Sequence, residues 1–148
     1  MPGLDINKIE ELTISPINRF QLSAQNIAEL KKNFTNSNIL ITGAAGSIGS
    51  EFTKKLKSFK FNKLYLLDKD ENKLTELNRN LVLYFNRKKI LSTRYICVDL
   101  KFTDLSKFIK ENKISHYLNF AAVKHVRSED ELISAKYLFE TNSKNFFN

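Results

Sequence analysis

Three of the four glycines in the chain, Gly43, Gly46 and Gly49, fall at three-residue spacing in a single stretch. The apolar run at residues 39–41 precedes them and predicts a buried strand, and a helical pattern follows from Ser47. A glycine turn between a strand and a helix brings an anion close to the unpaired N–H groups of the first helical turn. The spacing therefore favours a pyrophosphate site for a dinucleotide over an ordinary glycine-rich turn. The residues predicted for this site are Gly43, Ala45, Gly46, Ser47, Ile48 and Gly49.

Acidic residues follow the next two apolar runs. Asp68 lies 25 residues after Gly43, near the position of the carboxylate that binds the adenosine ribose in dinucleotide-binding proteins. Its charge favours NAD because it would repel a 2′-phosphate, whereas the cation of Lys69 leaves NADP open. Asp99, with Leu100 beside it, is predicted to meet the adenine amino group, and a plain turn carboxylate is the alternative.

Small residues and then charged residues follow the fourth apolar run. Ala121 and Ala122 come directly after it, where a bulky side chain would obstruct the nicotinamide ribose; tight core packing is the alternative. Lys124 and His125 come next and open a polar, charged cluster that continues through residues 127–129. Such a cluster suits an anionic substrate such as a nucleotide diphosphate sugar, and a solvated loop is the alternative.

Strand and helix patterns alternate from residue 39 onward, which is typical of βαβ units with a parallel sheet. Strands are predicted at residues 39–41, 63–68, 94–98 and 116–122, and helices at residues 47–59, 71–86 and 130–147, with a further helix capped by Thr103. The predicted fold class is α/β, a Rossmann-like doubly wound parallel sheet that is incomplete, with about four strands in the order 3-2-1-4. Ligands bind such sheets at the carboxyl ends of the strands, where the strand order reverses. Four groups are therefore expected to meet between the first and fourth strands: the glycine turn, Asp68, Asp99 with Leu100, and residues 119–125.

Residues 1–36 lack this alternation. They are predicted to form an N-terminal arm that includes a short capped helix at residues 23–30. Residues 37–148 are predicted to form the NAD(P)-binding domain.

Composition limits the remaining classes of function. The 148 residues are 42% hydrophobic and 27% charged with a net charge of +8, but the lysines are spread along the chain without a recognition motif, so nucleic acid is not predicted as a partner. No apolar stretch approaches the roughly 20 residues that span a bilayer, which predicts a cytoplasmic protein without a membrane span. Cys97, the only cysteine, excludes an internal disulfide and is predicted to be a buried core thiol. With two histidines in the chain, no metal site is predicted.

Several of these motifs together carry a family resemblance. Residues 41–51, 66–74 and 121–129, with Thr141 and Asn142, resemble the extended short-chain dehydrogenase/reductases. Within that group they are most similar to the polysaccharide-biosynthesis (CapD-like) nucleotide-sugar 4,6-dehydratases and epimerases. The resemblance covers nearly the whole chain but only the N-terminal part of the family's enzyme. The Ala-Ala-x-Lys-His-Val element is its most specific motif.

The resemblance implies a bound NAD or NADP that oxidises a sugar at C4, allows water to leave across C5 and C6, and returns the hydride. It implies a UDP-sugar substrate, with UDP-N-acetylglucosamine the family's usual one, and a role in surface polysaccharide or glycan biosynthesis. The glycines and Asp68 would hold the cofactor, Lys124 and His125 would line the sugar-nucleotide side, and Asn142 would support the site. Asn119 departs from the family pattern, since relatives often have histidine there. Whether the protein forms a homo-oligomer is left open.

The catalytic tyrosine of this family, with a lysine four residues later, is expected beyond Asn148. Two stretches have the same spacing, Tyr65 to Lys69 and Tyr84 to Lys88. Neither follows the fourth strand on the helix that would carry the catalytic base to the substrate, so no catalytic residue is predicted within the chain. The sequence thus predicts the cofactor-binding portion of such an enzyme; the alternative is a catalytically inactive dinucleotide-binding module or a truncated gene product.

Overall fold

The structure is a computed structural model and describes residues 22–122 and 132–143. These residues belong to two compact units, one ending at Leu30 and the other beginning at Lys31. The arm-to-domain boundary predicted at residue 36 remains a prediction. In the first unit, the predicted helix cap is present, since the Asn26 N–H donates to Ser23 Oγ at 3.1 Å.

Strands and helices alternate along the described chain. In order they are α1 (Ala24–Phe34), β1 (Asn38–Thr42), α2 (Ser47–Lys55) with a 3₁₀ turn (Leu56–Ser58), β2 (Lys63–Asp68), α3 (Glu71–Leu81), α4 (Arg87–Leu91), β3 (Thr93–Cys97), a 3₁₀ turn (Leu100–Phe102), α5 (Leu105–Glu111), β4 (His116–Asn119) and α6 (Leu132–Ser143).

The four strands form one parallel sheet in the order β3-β2-β1-β4. Ile41 of β1 lies opposite Leu66 of β2 on one side and Leu118 of β4 on the other. The predicted strand order and α/β class are confirmed. The order reverses between β1 and β4, which creates the crevice where such sheets bind ligands.

The two central strands form the core of the domain. Residues 39–41 of β1 and Leu64, Leu66 and Leu67 of β2 are almost completely buried. Continuous apolar strands of this kind need cover on both faces of the sheet. On one face, Leu40, Tyr65 and Leu67 pack against apolar residues that include those of α5. The outer strands β3 and β4 are only partly buried.

The predicted long helix at residues 71–86 is wrong at its carboxyl end. Helix α3 ends at Leu81, and the chain turns before α4 begins. Asn86 has extended backbone angles and its side-chain oxygen accepts a hydrogen bond from the Lys89 N–H, so it caps a new helix instead of ending the old one. The apolar stripe of α3 nevertheless continues into the core through the buried Phe85.

Three further predictions need correction. Cys97 is exposed rather than buried, because it ends β3, which is an outer strand of the sheet that the described residues form and pairs there with β2 alone. Helix α5 is capped by Asp104, whose side chain accepts from the Lys107 N–H, and not by Thr103. Strand β4 ends at Asn119 rather than Ala122.

Candidate functional site

A cleft opens at the carboxyl ends of the strands, at the point where the strand order reverses. The glycine turn after β1 forms one wall of the cleft, and the ends of β2 and β3 form its floor. The segment after β4 and helix α6 line the rest of the cleft. The lining residues are Gly43, Gly46, Leu67, Asp68, Lys69, Lys73, Val98, Asp99, Leu100, Phe120, Ala121, Ala122 and Tyr137.

Gly43 forms the tightest contact of this cleft. Its φ of +64° lies in the left-handed region, and a Cβ added there would lie 2.6 Å from the Ala121 Cα. Only glycine combines this backbone angle with so close an approach. Asn119 fixes the neighbouring segment, because its Oδ1 accepts hydrogen bonds from Thr42 Oγ1 at 2.7 Å and from the Ala121 N–H at 2.9 Å.

The other two glycines of the turn have different surroundings. A Cβ at Gly49 would collide with the Gly43 carbonyl oxygen and lie 3.0 Å from the Ala44 Cα, so this glycine lets α2 pack directly against the turn. A Cβ at Gly46 would meet only the Gly43 oxygen, at 3.3 Å, and otherwise open space. Gly46 is therefore not required by packing, and its lack of a side chain leaves open space in the cleft.

The start of helix α2 presents main-chain donors beside the cleft. The first hydrogen bond within the helix runs from the Ser50 N–H to the Gly46 oxygen at 2.9 Å, so the N–H groups of Ser47, Ile48 and Gly49 have no acceptor inside the helix. Gly46 occupies the capping position, and no side chain in the described part of the chain caps this end. The three donors and the helix dipole together favour an anion at this point.

Asp68 connects the glycine turn to the end of β2. One carboxylate oxygen accepts from the Ala45 N–H at 2.9 Å, and the other accepts from the Asp70 N–H at 3.1 Å. Each carboxylate oxygen retains further acceptor capacity, so the side chain can still receive a ribose hydroxyl. The Ala45 amide points to Asp68, however, and Ala45 itself lines a separate groove next to α3 rather than the cleft.

Charged side chains surround the far end of the cleft. The Lys69 ammonium group lies 3.5 Å from the Tyr137 hydroxyl, and Asp99 accepts from the Lys101 N–H at 2.9 Å, which shapes the turn after β3. Lys73 lies one helical turn after Asp70 and pairs with it at 3.4 Å. The Lys73 N–H also donates to the Asp70 carboxylate and lowers the pKa of that group.

The structure brings together most of the residues predicted to bind cofactor. Those that line the cleft are Gly43, Gly46, Asp68, Lys69, Asp99, Leu100, Ala121 and Ala122. Ser47, Ile48 and Gly49 are not among the lining residues but follow Gly46 in the first turn of α2, whereas Ala45 faces the neighbouring groove. The predicted substrate residues Lys124 and His125 lie outside the described residues, and Asn142 lies on α6, partly buried.

Two polar residues of the cleft, Lys73 and Tyr137, were not predicted from the sequence. Lys73 could have been predicted. Asp70 caps α3, and a residue three positions after the cap lies beside it on the same face of the first helical turn. Tyr137 carries no local signal, since its place depends on the packing of α6 against distant segments.

The tyrosines of the two tyrosine-lysine pairs with catalytic spacing, Tyr65 and Tyr84, do not line the cleft, although Lys69 of the first pair does. Tyr65 is only 6% exposed and packs edge-on against Phe108, with ring centroids 5.4 Å apart. Tyr84 lies beside Lys54 and Lys57, whose ammonium groups are 5.9 and 5.6 Å from its ring centroid.

Within residues 22–122 and 132–143, no group of three or more His, Cys, Asp and Glu side chains is arranged to hold a metal ion. Within the same residues, every helix is too short or too polar to cross a bilayer.

The sheet order and the glycine turn at its switch point define a Rossmann-like α/β fold, which solved short-chain dehydrogenase/reductases share. A short-chain type dehydrogenase/reductase from Mycobacterium ulcerans superposes with a TM-score of 0.63 and 13% identity. The match covers 76% of this chain and 43% of the dehydrogenase. Pen from Bacillus thuringiensis superposes with a TM-score of 0.62 and 26% identity over 76% of the chain and 33% of its own. The family described as "Polysaccharide biosynthesis protein" matches residues 39–142, and the chain belongs to this family.

Two more relatives agree with this assignment. The capsular polysaccharide biosynthesis protein CapD of Staphylococcus aureus is 30% identical over 78 residues, which are 53% of the chain and 13% of CapD. The UDP-N-acetylglucosamine 4-epimerase from Methanobrevibacter ruminantium M1 superposes with a TM-score of 0.55 and 21% identity, over 75% of the chain and 32% of the epimerase. The resemblance to this family drawn from the sequence is confirmed. The chain spans about an eighth of CapD and about a third of the epimerase and of Pen.

Proposed function

We propose that the chain binds a nicotinamide dinucleotide as the NAD(P)-binding portion of a nucleotide-sugar 4,6-dehydratase or epimerase. The observation that carries the proposal is the cleft at the sheet's switch point, where the glycine turn and the free amides of α2 meet an acidic residue at the end of β2. The proposal includes a UDP-sugar substrate, of which UDP-N-acetylglucosamine is favoured, and a cytoplasmic role in surface polysaccharide or glycan biosynthesis. The epimerase relative, solved with UDP-N-acetylmuramic acid, supports a sugar nucleotide.

The pyrophosphate would lie at the start of α2. There the amides of Ser47, Ile48 and Gly49 donate to its oxygens, and the open space at Gly46 lets the phosphates approach the main chain. Hydrogen bonds to charged groups are among the stronger ones in proteins, so this contact would supply much of the affinity.

The two nucleosides would lie on either side of the pyrophosphate. Asp68 accepts hydrogen bonds from the hydroxyls of the adenosine ribose. Asp99, with Leu100 beside it, accepts one from the adenine amino group. Ala121 and Ala122 leave room for the nicotinamide ribose near Gly43. The bound nicotinamide would supply the hydride acceptor for oxidation of the sugar, and the residues named here bind and orient the dinucleotide. Lys124 and His125 remain the residues proposed for the sugar nucleotide.

Cofactor preference depends on the charges near Asp68. The carboxylate disfavours a 2′-phosphate and so favours NAD, whereas the ammonium groups of Lys69 and Lys73 on the same cleft would attract one. We therefore propose NAD or NADP, with NAD slightly favoured.

Calorimetric titration with NAD and NADP tests the proposal. The wild-type chain is expected to bind at least one of them, and Gly46→Ala is expected to weaken that binding about 10- to 100-fold, because its methyl group occupies the phosphate position. Ser50→Ala is the matched control. Ser50 lies in the same helix, where its hydroxyl donates to the Ser47 oxygen, and its side chain lines the neighbouring groove.

A folded wild-type chain that binds neither dinucleotide would overturn the proposal. Equal loss of affinity in Gly46→Ala and Ser50→Ala would show that binding occurs away from the glycine turn. Thermal unfolding of each variant, followed by circular dichroism, separates loss of binding from loss of fold.

A further inference from the structure

Helix α6 contributes an aromatic side chain to the cleft. Tyr137 lines the cleft near the ends of β2 and β3, with 36% of its surface exposed. It lies far from the glycine turn in sequence, and nothing in the sequence analysis assigned it a role. The proposed function leaves it without one.

The surroundings of Tyr137 suit a flat aromatic ligand. Leu67, Val98 and Leu100 give this end of the cleft an apolar floor, and Asp99 stands at its rim. Nucleobases bind where a π-face or an apolar surface can cover their ring, and tyrosine is a common partner.

Two lysine ammonium groups lie near the tyrosine ring. The ammonium groups of Lys69 and Lys101 lie 6.0 and 5.7 Å from the centroid of the ring, within the range of cation–π attraction. Lys69 also approaches the Tyr137 hydroxyl. The ring therefore lies close to two separate segments, the end of β2 and the turn after β3.

We propose that Tyr137 packs its ring against the adenine of the bound dinucleotide, so that α6 closes the adenosine end of the cleft. This inference rests on the proposed function and adds a binding residue that lies outside the glycine turn and the strand ends. The contact is through the ring, so the hydroxyl group is dispensable for it.

The test compares Tyr137→Ala with Tyr137→Phe, using 5′-AMP and nicotinamide mononucleotide as separate probes of the two halves of the dinucleotide. In calorimetry, Tyr137→Ala is expected to weaken the binding of 5′-AMP and of NAD about 5- to 100-fold, whereas Tyr137→Phe stays within about threefold of the wild type. Neither variant should change the affinity for nicotinamide mononucleotide. Tyr137→Leu keeps apolar bulk on α6 and serves if the alanine variant does not fold.

Tyrosine fluorescence gives an independent readout. The chain has five tyrosines and no tryptophan, and Tyr137 is the one among the described residues that lines the cleft. Stacked adenine should quench its emission in the wild type. Tyr137→Phe should keep the affinity for 5′-AMP but lose this quenching, a combination that a purely structural role would not produce.

The outcomes separate the two proposals. If the wild type binds NAD and Tyr137→Ala binds it equally well, the stacking inference is wrong and the proposed function stands. If Tyr137→Phe loses as much affinity as Tyr137→Ala, the hydroxyl contact matters instead and the inference is again overturned. If the wild type binds no dinucleotide at all, the proposed function fails and the inference fails with it.

Discussion

Three glycines at equal spacing in the sequence have three different surroundings in the fold. Gly43 is required by its left-handed backbone and by the close approach of Ala121, and Gly49 by the contact of α2 with the turn. Gly46 faces open space and is available to a ligand. A motif defined by spacing alone therefore combines glycines that the fold requires with one that leaves space for a ligand, and substitution distinguishes them.

Gly49→Ala is expected to lower the free energy of unfolding by about 1–3 kcal/mol, because the added methyl group forces the Gly43 carbonyl or α2 to move. Gly46→Ala should cost less than about 1 kcal/mol, since its one close contact is the Gly43 oxygen. Urea denaturation followed by circular dichroism measures both. A larger loss for Gly46→Ala than for Gly49→Ala would contradict the assignment of roles.

A second prediction concerns Tyr95, whose hydroxyl is buried and has no hydrogen-bond partner among residues 22–122 and 132–143. Burial raises its pKa from the usual value near 10 to about 12. Between these values the unfolded chain releases the proton and the folded chain keeps it, so stability is full below about pH 10 and falls as the pH rises towards 12. Tyr95→Phe should raise the free energy of unfolding by about 1 kcal/mol at neutral pH and reduce the alkaline loss.

Tyr117→Phe is the matched control for that experiment. Burial raises the pKa of Tyr117 as well, but its hydroxyl lies 3.3 Å from Thr42 Oγ1 and so has a partner. Removing this hydroxyl should therefore destabilise the protein. Urea denaturation at pH 8 and at pH 11 measures both variants, and destabilisation by Tyr95→Phe at pH 8 would show that its hydroxyl has a partner.

At the scale of elements, local signals set where helices begin and end. Asp70, Asn86 and Asp104 each cap a helix with their own side chain, and the position of Asn86 explains why the predicted long helix is two helices. The apolar stripe of residues 74–85 continued across that break, so periodicity alone could not reveal it. The side-chain oxygens of these caps can be read from the sequence, but Thr103 beside Asp104 shows that they do not by themselves identify the capping residue.

The carboxyl end of α5 offers a prediction at this scale. Lys113 follows this helix with a φ of +50°, a left-handed angle that is unfavourable for residues other than glycine. Lys113→Gly should raise the free energy of unfolding by about 0.5–1 kcal/mol. Lys110→Gly, inside the last turn of α5, is the control and should lower it by a similar amount. Thermal unfolding of both variants measures the difference, and a loss of stability in Lys113→Gly would contradict the argument.

At the scale of the whole molecule, burial is concentrated on the inner two strands. Residues 39–41 and Leu66 are almost fully buried, whereas β3 and β4, the outer strands of the sheet within residues 22–122, are partly buried. The inner strands β1 and β2 are thus better protected from solvent than the outer strands. The cleft lies at the carboxyl ends of the strands, where the buried β1 meets the partly buried β4.

Hydrogen exchange read by mass spectrometry should show this gradient. Amides of β1 and β2 are expected to exchange only through global unfolding, whereas those of β3 and β4 exchange sooner through local opening. Binding of a dinucleotide should then slow exchange in residues 43–49 most strongly. Equal protection of all four strands would contradict the gradient.

The sequence was sufficient for the strand order, the position of the glycine turn and the group of residues that meet at the cleft, because these depend on period and spacing along the chain. It was insufficient for the Ala45 to Asp68 hydrogen bond and for Tyr137, because both depend on how segments far apart in sequence pack together. Cys97 shows the same limit, since an apolar neighbourhood predicted burial and the edge position of β3 exposes it.

The bond between the Ala45 amide and the Asp68 carboxylate limits how the nucleotide preference of this site can be re-engineered. Exchange of an acid at the end of the second strand for a neutral or basic residue is an obvious route to a protein that accepts the phosphorylated coenzyme. In this chain, an exchange to a residue without an acceptor oxygen would also release the Ala45 amide of the turn proposed to bind the diphosphate, so a gain in selectivity would come with weaker retention of either proposed coenzyme. A second substitution that restores an acceptor for that amide would have to accompany the first.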